Sequence, residues 1–385
     1  MTSFPDSFFW GAATAAHQIE GNNIGSDWWE MENSPQMHIA ERSGDAADSL
    51  HRYPEDMQLL ADRGFDMYRF SIEWARIEPE DGQFSEAMLQ HYRRMIETAI
   101  ELGLTPNVTL HHFTNPRWFA HGGGWRRDDA PDVFLRYATR AAEILAGVEW
   151  VVTINEPNMV AVVHDFAAPN QSDEPPAPDP VVTQNLIRAH HLTGAMLRAR
   201  GHKVGWTIAN QAYHAVPGYE AETLAYQYPR EDVFLEAARG DDWLGVQAYL
   251  RTFIGEGGRP QPIPEGVERT LTGWEYFPEA LGIAIRHSAE VVGDVPLIVT
   301  ENGMATSDDQ RRIDYTGVAL RDVASAIADG IDVRGYLHWS LLDNYEWGSF
   351  RPTFGLVAVD PVTFERRPKP SLDWLAGVAR TGRLS

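Results

Sequence analysis

Hydrophobic positions along the chain fall into two alternating patterns. Short β-branched runs such as Val151-Val152-Thr153-Ile154 and Leu297-Ile298-Val299-Thr300 read as strands buried on both faces, as in a parallel sheet. Longer segments repeat at helical spacing. In Ala87 to Leu102 the residues Met88, Tyr92, Met95, Ile96, Ala99 and Ile100 form one stripe, and Gly103 stops it. Val133 to Leu145 and Val181 to Ala199 behave alike. Eight strands are predicted: Phe8 to Ala13, Met67 to Ile72, Thr105 to Leu110, Trp150 to Asn155, Val204 to Ala209, Trp243 to Ala248, Leu297 to Thr300 and Val333 to Trp339. Strands alternating with helices from end to end predict βα units around a parallel sheet, an α/β fold.

No linker divides this alternation. The Pro-rich stretch Glu174 to Pro180 lies between the fourth strand and its own crossover helix, so it reads as a stiff surface loop, and Gly257 to Pro264 is a second long loop after the sixth strand. The expectation is one domain over residues 1–385, a length that α/β barrels with insertions reach as a single unit.

Composition narrows the function. No apolar run approaches the roughly 18 residues that cross a bilayer, although 43% of the residues are hydrophobic. A formal charge of −23 argues against nucleic acid or an anionic membrane as partner, since both select basic patches. Cysteine is absent, which removes disulfides, thiolate metal sites and cysteine nucleophiles together. Met1-Thr2-Ser3-Phe4-Pro5-Asp6 has no basic stretch followed by an apolar one, so the cytoplasm is the expected location. A homo-oligomer is left open.

Two of the predicted strands end in a glutamate. Val151 to Asn155 runs into Glu156-Pro157, and Leu297 to Thr300 into Glu301-Asn302-Gly303. Pro or Gly just past each carboxylate stops the strand, so both glutamates stand at the C-terminal mouths, where an α/β barrel keeps its chemistry. Two facing carboxyl groups, one protonated and one ionised, suffice to break a glycosidic bond. Asn155 brings an amide beside Glu156, and Arg69 and Tyr249, near the ends of the second and sixth strands, are the expected partners that keep Glu301 ionised. After the eighth strand, Trp339-Ser340-Leu341-Leu342-Asp343-Asn344-Tyr345-Glu346-Trp347 sets a carboxylate between indoles, which suits sugar hydroxyls and C–H faces. His111-His112 and His190-His191 are adjacent pairs and cannot both face one ion, so no metal and no cofactor are expected. Of the remaining tryptophans, Trp125 and Trp274 are the best candidates for the barrel mouth.

With these segments on the page, the chain resembles family 1 glycoside hydrolases, the β-glucosidase family. Phe8-Phe9-Trp10-Gly11-Ala12-Ala13-Thr14-Ala15-Ala16-His17-Gln18-Ile19-Glu20-Gly21 looks like the family's opening signature. Tyr68 to Trp74, Thr109 to Phe113 and the two glutamate segments are similar to its other motifs, and the matches run from Phe8 to Asp360. The resemblance implies a single (β/α)8 TIM barrel and net retention, with Glu156 as acid/base and Glu301 as nucleophile. It implies a sugar site of Gln18, His112, Asn155, Trp339, Glu346 and Trp347, and a terminal β-D-glycoside or oligosaccharide as substrate. β-Glucoside is the expected specificity, with β-galactoside or β-fucoside beside it. Glu346, with no lysine in Gly348-Ser349-Phe350-Arg351, implies an unphosphorylated sugar. Gln247, Ala248, Phe113 and Thr353 depart from the family's usual residues and bear on sugar and aglycone preference. A transglycosidase with the same mechanism and a sugar-binding relative without catalysis are the alternatives.

Overall fold

The computed structural model describes residues 2–35, 37, 39–163 and 175–384, with only the backbone of Thr2. Eight parallel strands close into a barrel: β1 (Phe9–Ala13), β2 (Met67–Ser71), β3 (Thr105–Thr109), β4 (Trp150–Asn155), β5 (Lys203–Ala215), β6 (Leu244–Gly255), β7 (Leu297–Glu301) and β8 (Val333–Trp339). They pair in the order β5-β4-β3-β2-β1-β8-β7-β6, and a β5–β6 ladder closes the ring. The expected (β/α)8 TIM barrel is therefore what the chain forms, and each predicted strand is present.

The helical stripe is shifted by one residue, to Glu86–Glu101, because the Ser85 hydroxyl caps the Met88 N–H at 3.3 Å. Its inward face is Leu89, Tyr92, Met95, Ile96 and Ala99, whereas Ile100 is exposed. The helix expected over Val181 to Ala199 is Pro180–Arg198, capped by Asp179. Of the Pro-rich stretch before it, Glu174 lies outside the described residues. No helix among the described residues is long and apolar enough to cross a membrane.

The core has two shells. Outward-facing strand residues such as Tyr68, Phe70, Val151, Leu244 and Val299 pack against the surrounding helices. Inward-facing Met67, Trp150, Val152, Trp243, Ile298 and Leu337 plug the barrel interior and leave its C-terminal end for polar residues. Alternation along a strand does this sorting: Met67 and then Arg69 face the axis on β2, and Trp243, Gly245, Gln247 and Tyr249 do so along β6.

Two strands outrun their expected ends. β5 and β6 continue past the barrel rim as a two-stranded extension, paired to Ala215 and Ile254, and Arg259–Pro260 adds antiparallel to its end. The segment read as a loop over Gly257 to Pro264 thus begins as a hairpin arm.

Gly303 shows how tightly the rim is packed. A methyl at its Cα would lie 2.0 Å from the Trp339 carbonyl oxygen, a backbone atom that cannot step aside. Gly303→Ala is expected to cost about 1–3 kcal/mol, the usual penalty of overpacking, read as a lower denaturation midpoint at unchanged m-value. An unchanged midpoint would mean that β7 and β8 can separate without cost.

Candidate active site

Register shifts at the strand ends build the site. On β4 the pairing with β5 slips between Val152 and Asn155, which turns Asn155 toward the barrel axis. On β7 the pairing with β6 slips between Val299 and Glu301. On β6 it slips opposite Gln211, so that Tyr249 and Leu250 both reach the same cavity. Past β4, the chain turns with Glu156 in the left-handed region (φ 45°) while its N–H donates to the Thr207 carbonyl at 2.8 Å. Pro157 then opens the helix Pro157–Val163. Phe113 (φ 67°) and Trp347 (φ 47°) are also left-handed and also line the cavity. Such backbone strain in non-glycine residues concentrates where function fixes a side chain.

The cavity has a volume of about 450 Å³, within the range of small-molecule sites, and both glutamates line it. Arg69, fully buried, donates from Nη1 to Glu301 Oε1 at 2.6 Å and from Nη2 to Asn155 Oδ1 at 2.5 Å. The Tyr249 hydroxyl donates to the other Glu301 oxygen at 2.8 Å. Asn155 Oδ1 also accepts from Thr207 Oγ1 at 2.9 Å and from Gln247 Nε2 at 3.0 Å, and its amide nitrogen lies 3.4 Å from His112 Nε2.

The two carboxyl groups are thereby made unequal. Burial pushes the Glu156 carboxyl well above the usual carboxylate range, and the nearby charges of Glu301 and Glu346 add to the effect against Arg69. Burial also raises Glu301, but the Arg69 charge and the hydrogen bonds from Arg69, Tyr249 and Gln247 pull it back. Of the pair, Glu156 is the one raised further. Such a pair can deliver a proton at one point of a bound molecule and an anion at another.

The other end of the cavity is polar. Trp339 Nε1 donates to Glu346 Oε1 at 3.0 Å, and Gln18 Nε2 lies 3.3 Å from Glu346 Oε2. Burial pushes the Glu346 carboxyl up to about 8, against the hydrogen bonds from Trp339, Asn344 and Gln18. Burial, with help from Arg69, holds His112 well below the usual imidazole range and so keeps it neutral. Its ring lies parallel to those of Trp339 and Trp347, at 6.0 and 6.4 Å between centroids. Gln18 Oε1 and His112 Nδ1 are buried without a partner among the described residues.

All ten expected site residues thus fall in or directly behind one cavity. Gln18, His112, Glu156, Tyr249, Glu301, Trp339, Glu346 and Trp347 line it, while Arg69 and Asn155 stand behind its wall. Thr207 was missed, since a threonine inside a strand carries no chemical signal. Gln247 was noticed only as a departure and is a working part of the network. The two tryptophans expected at the mouth divide. Trp274 lines the cavity, but Trp125 is buried among Trp74, Phe119 and Phe134 with its Nε1 on Asn115 at 3.1 Å, so the expectation of a mouth position is corrected: aromatic packing claims that ring.

Comparison with known proteins agrees with this geometry. The model of glycosyl hydrolase family 1 matches residues 1–242 and 255–383. The thermostable beta-glucosidase B of Thermobispora bispora is 33% identical over 437 residues, covering 99% of this chain and 92% of its own. A bifunctional beta-D-glucosidase/beta-D-fucosidase of Bifidobacterium breve is 31% identical, covering 96% of this chain and 97% of its own. The crystal structure of the beta-glycosidase BGL167 superposes with a TM-score of 0.90 at 42% identity, covering 99% of this chain and 98% of that one. The chain belongs to glycosyl hydrolase family 1 and is a glycoside hydrolase.

Proposed function

We propose that the chain hydrolyses terminal non-reducing β-D-glycosides, β-glucosides first, with net retention, and that one catalytic domain over residues 1–385 does so. The observation that carries this reading is the unequal treatment of the two cavity glutamates: Glu301 is gripped on both oxygens by Arg69 and Tyr249, whereas burial and negative neighbours raise Glu156. An anion held in place suits a nucleophile, and a carboxyl kept protonated suits an acid.

In the first step a Glu301 oxygen bonds to the anomeric carbon as the bond to the leaving oxygen breaks, and Glu156 gives that oxygen its proton. In the second, Glu156, now ionised, takes a proton from water, whose oxygen attacks the anomeric carbon and releases Glu301 as carboxylate. Gln18, Glu346, Trp339 and His112 would hold the sugar, and the Asn155 amide would meet the 2-hydroxyl beside the reacting carbon. The Bifidobacterium relative's name supports fucoside turnover beside glucoside. A cytoplasmic setting belongs to the same reading.

Proton NMR of an aryl β-glucoside digest tests it. The β-anomer of glucose should appear first and only later equilibrate with the α-anomer. First appearance of the α-anomer would replace retention by inversion, and binding without hydrolysis would leave a sugar-binding protein.

A further inference from the structure

Glu231 is fully buried, yet it lies outside the cavity and outside the mechanism. We infer that it is a positioning residue for the reaction, holding the β5 side of the bulge that sets Tyr249 against Glu301. The inference rests on the nucleophile role proposed for Glu301.

Glu231 sits on the π-helical turn Tyr228–Asp232, between the helices Glu220–Gln227 and Val233–Ala237. An apolar side chain would pack such a turn onto a strand without the desolvation that a buried carboxyl suffers. Single π turns next to α-helices are frequent at functional sites. Here the carboxyl reaches the strand end that builds the site. One of its oxygens accepts from Asn210 Nδ2 at 2.8 Å and the other from the Gln211 backbone N–H at 3.2 Å. Gln211 is the single β5 residue that faces two on β6, Tyr249 and Leu250, where the pairing passes from Asn210 with Ala248 to Ala212 with Arg251. Asn210 carries the contact onward, since its Oδ1 accepts the Gln247 backbone N–H at 3.3 Å. Glu231 thus fixes the two β5 residues against which Gln247-Ala248-Tyr249 is laid. That stretch supplies the amide bonded to Asn155 and the hydroxyl bonded to Glu301.

The β6 side of the bulge is held separately. Asn302 Nδ2 donates to the Ala248 carbonyl at 2.7 Å, and the Tyr315 hydroxyl donates to the Tyr249 carbonyl at 3.2 Å. Loss of the Glu231 contacts should therefore loosen the bulge and leave the barrel folded.

Glu231→Gln tests this. The amide matches the carboxyl in size but turns a donor toward one of two donors, Asn210 Nδ2 or the Gln211 N–H. On an aryl β-glucoside kcat/KM should fall about 3- to 10-fold, the worth of one hydrogen bond, and its acid limb should move to higher pH because a weaker bond from Tyr249 leaves Glu301 less readily ionised. In Tyr249→Phe, where there is no hydroxyl to place, the same substitution should cost less than about twofold and leave the limb where it is. Equal losses in the two backgrounds, or a native pH profile in folded Glu231→Gln, would overturn the inference and leave the proposed function standing. Should Glu231→Gln fail to fold, Asn210→Ser carries the same comparison, since it removes the side-chain half of the contact and keeps the Gln211 N–H bond. No hydrolysis by the native chain overturns both.

Discussion

Glu301→Ala should lower kcat on an aryl β-glucoside by on the order of 10⁴-fold or more, the scale seen when a hydrolase loses its attacking group. Added azide should restore part of the rate and yield the α-glycosyl azide. The small anion fits the space left by the carboxylate and attacks the face that Glu301 attacked, while Glu156 still supplies the proton. Glu156→Ala should behave differently. With an activated leaving group the glycosyl-enzyme still forms, its hydrolysis slows by about 10²- to 10⁴-fold for want of a general base, and azide traps it from the opposite face as the β-glycosyl azide. With a poor leaving group, azide should rescue little, because the first step then lacks its acid. NMR of the two azides decides the assignment. An α product from Glu156→Ala and a β product from Glu301→Ala would exchange the roles.

That prediction concerns two residues that stand out in the sequence because a β-branched run ends at each. Strands were legible wherever burial on both faces wrote an apolar run, and all eight appear where the runs lie. The ends were less legible. β5 and β6 continue through Gln211-Ala212-Tyr213-His214 and Arg251-Thr252-Phe253, mixed segments whose pairing is decided by each other, not by an apolar core. The register shifts that turn Asn155, Glu301 and Leu250 to the cavity leave no mark in a period of two, since a bulge is a property of two paired strands. Gln247 illustrates the same limit. As a residue type it is only an amide out of place, but its Nε2 reaches Asn155 Oδ1 at 3.0 Å because β4 and β6 flank β5 and both turn a side chain into the barrel there. Trp125 failed in the other direction: ring size and loop position suggested a binding surface, and neighbouring aromatics took it into the core. Chemistry could be read from residues, whereas which wall a residue joins depended on contacts between strands far apart in the chain.

Tyr249→Phe should move the acid limb of the kcat/KM profile to higher pH and lower kcat by about 10- to 100-fold. The substitution keeps the ring, which packs on Trp274 and Phe354 at 5.7 and 5.9 Å between centroids, and removes only the hydroxyl that donates to Glu301 Oε2 at 2.8 Å. A hydrogen bond to an ionised group is worth about 1.5–3 kcal/mol, which sets the size of the loss. The sign follows from which form the bond favours. Donation to the carboxylate stabilises the ionised state and holds Glu301 down against the upward push of burial. Without it the folded-state pKa rises, a smaller fraction is ionised at a given acidic pH, and activity is lost at a higher pH on the acid side. The basic limb, set by proton loss from Glu156, should move less, because burial and the neighbouring carboxylates, not Tyr249, dominate that group. The rate falls for a second reason. In the proposed second step Glu301 departs as a carboxylate when water releases the sugar, and the phenol would stabilise the charge that develops on it. The second step should therefore slow, and a burst of nitrophenol from an activated substrate would register the accumulating glycosyl-enzyme. An acid limb that stays in place, or moves to lower pH, would show that the 2.8 Å contact does not govern the ionisation of Glu301.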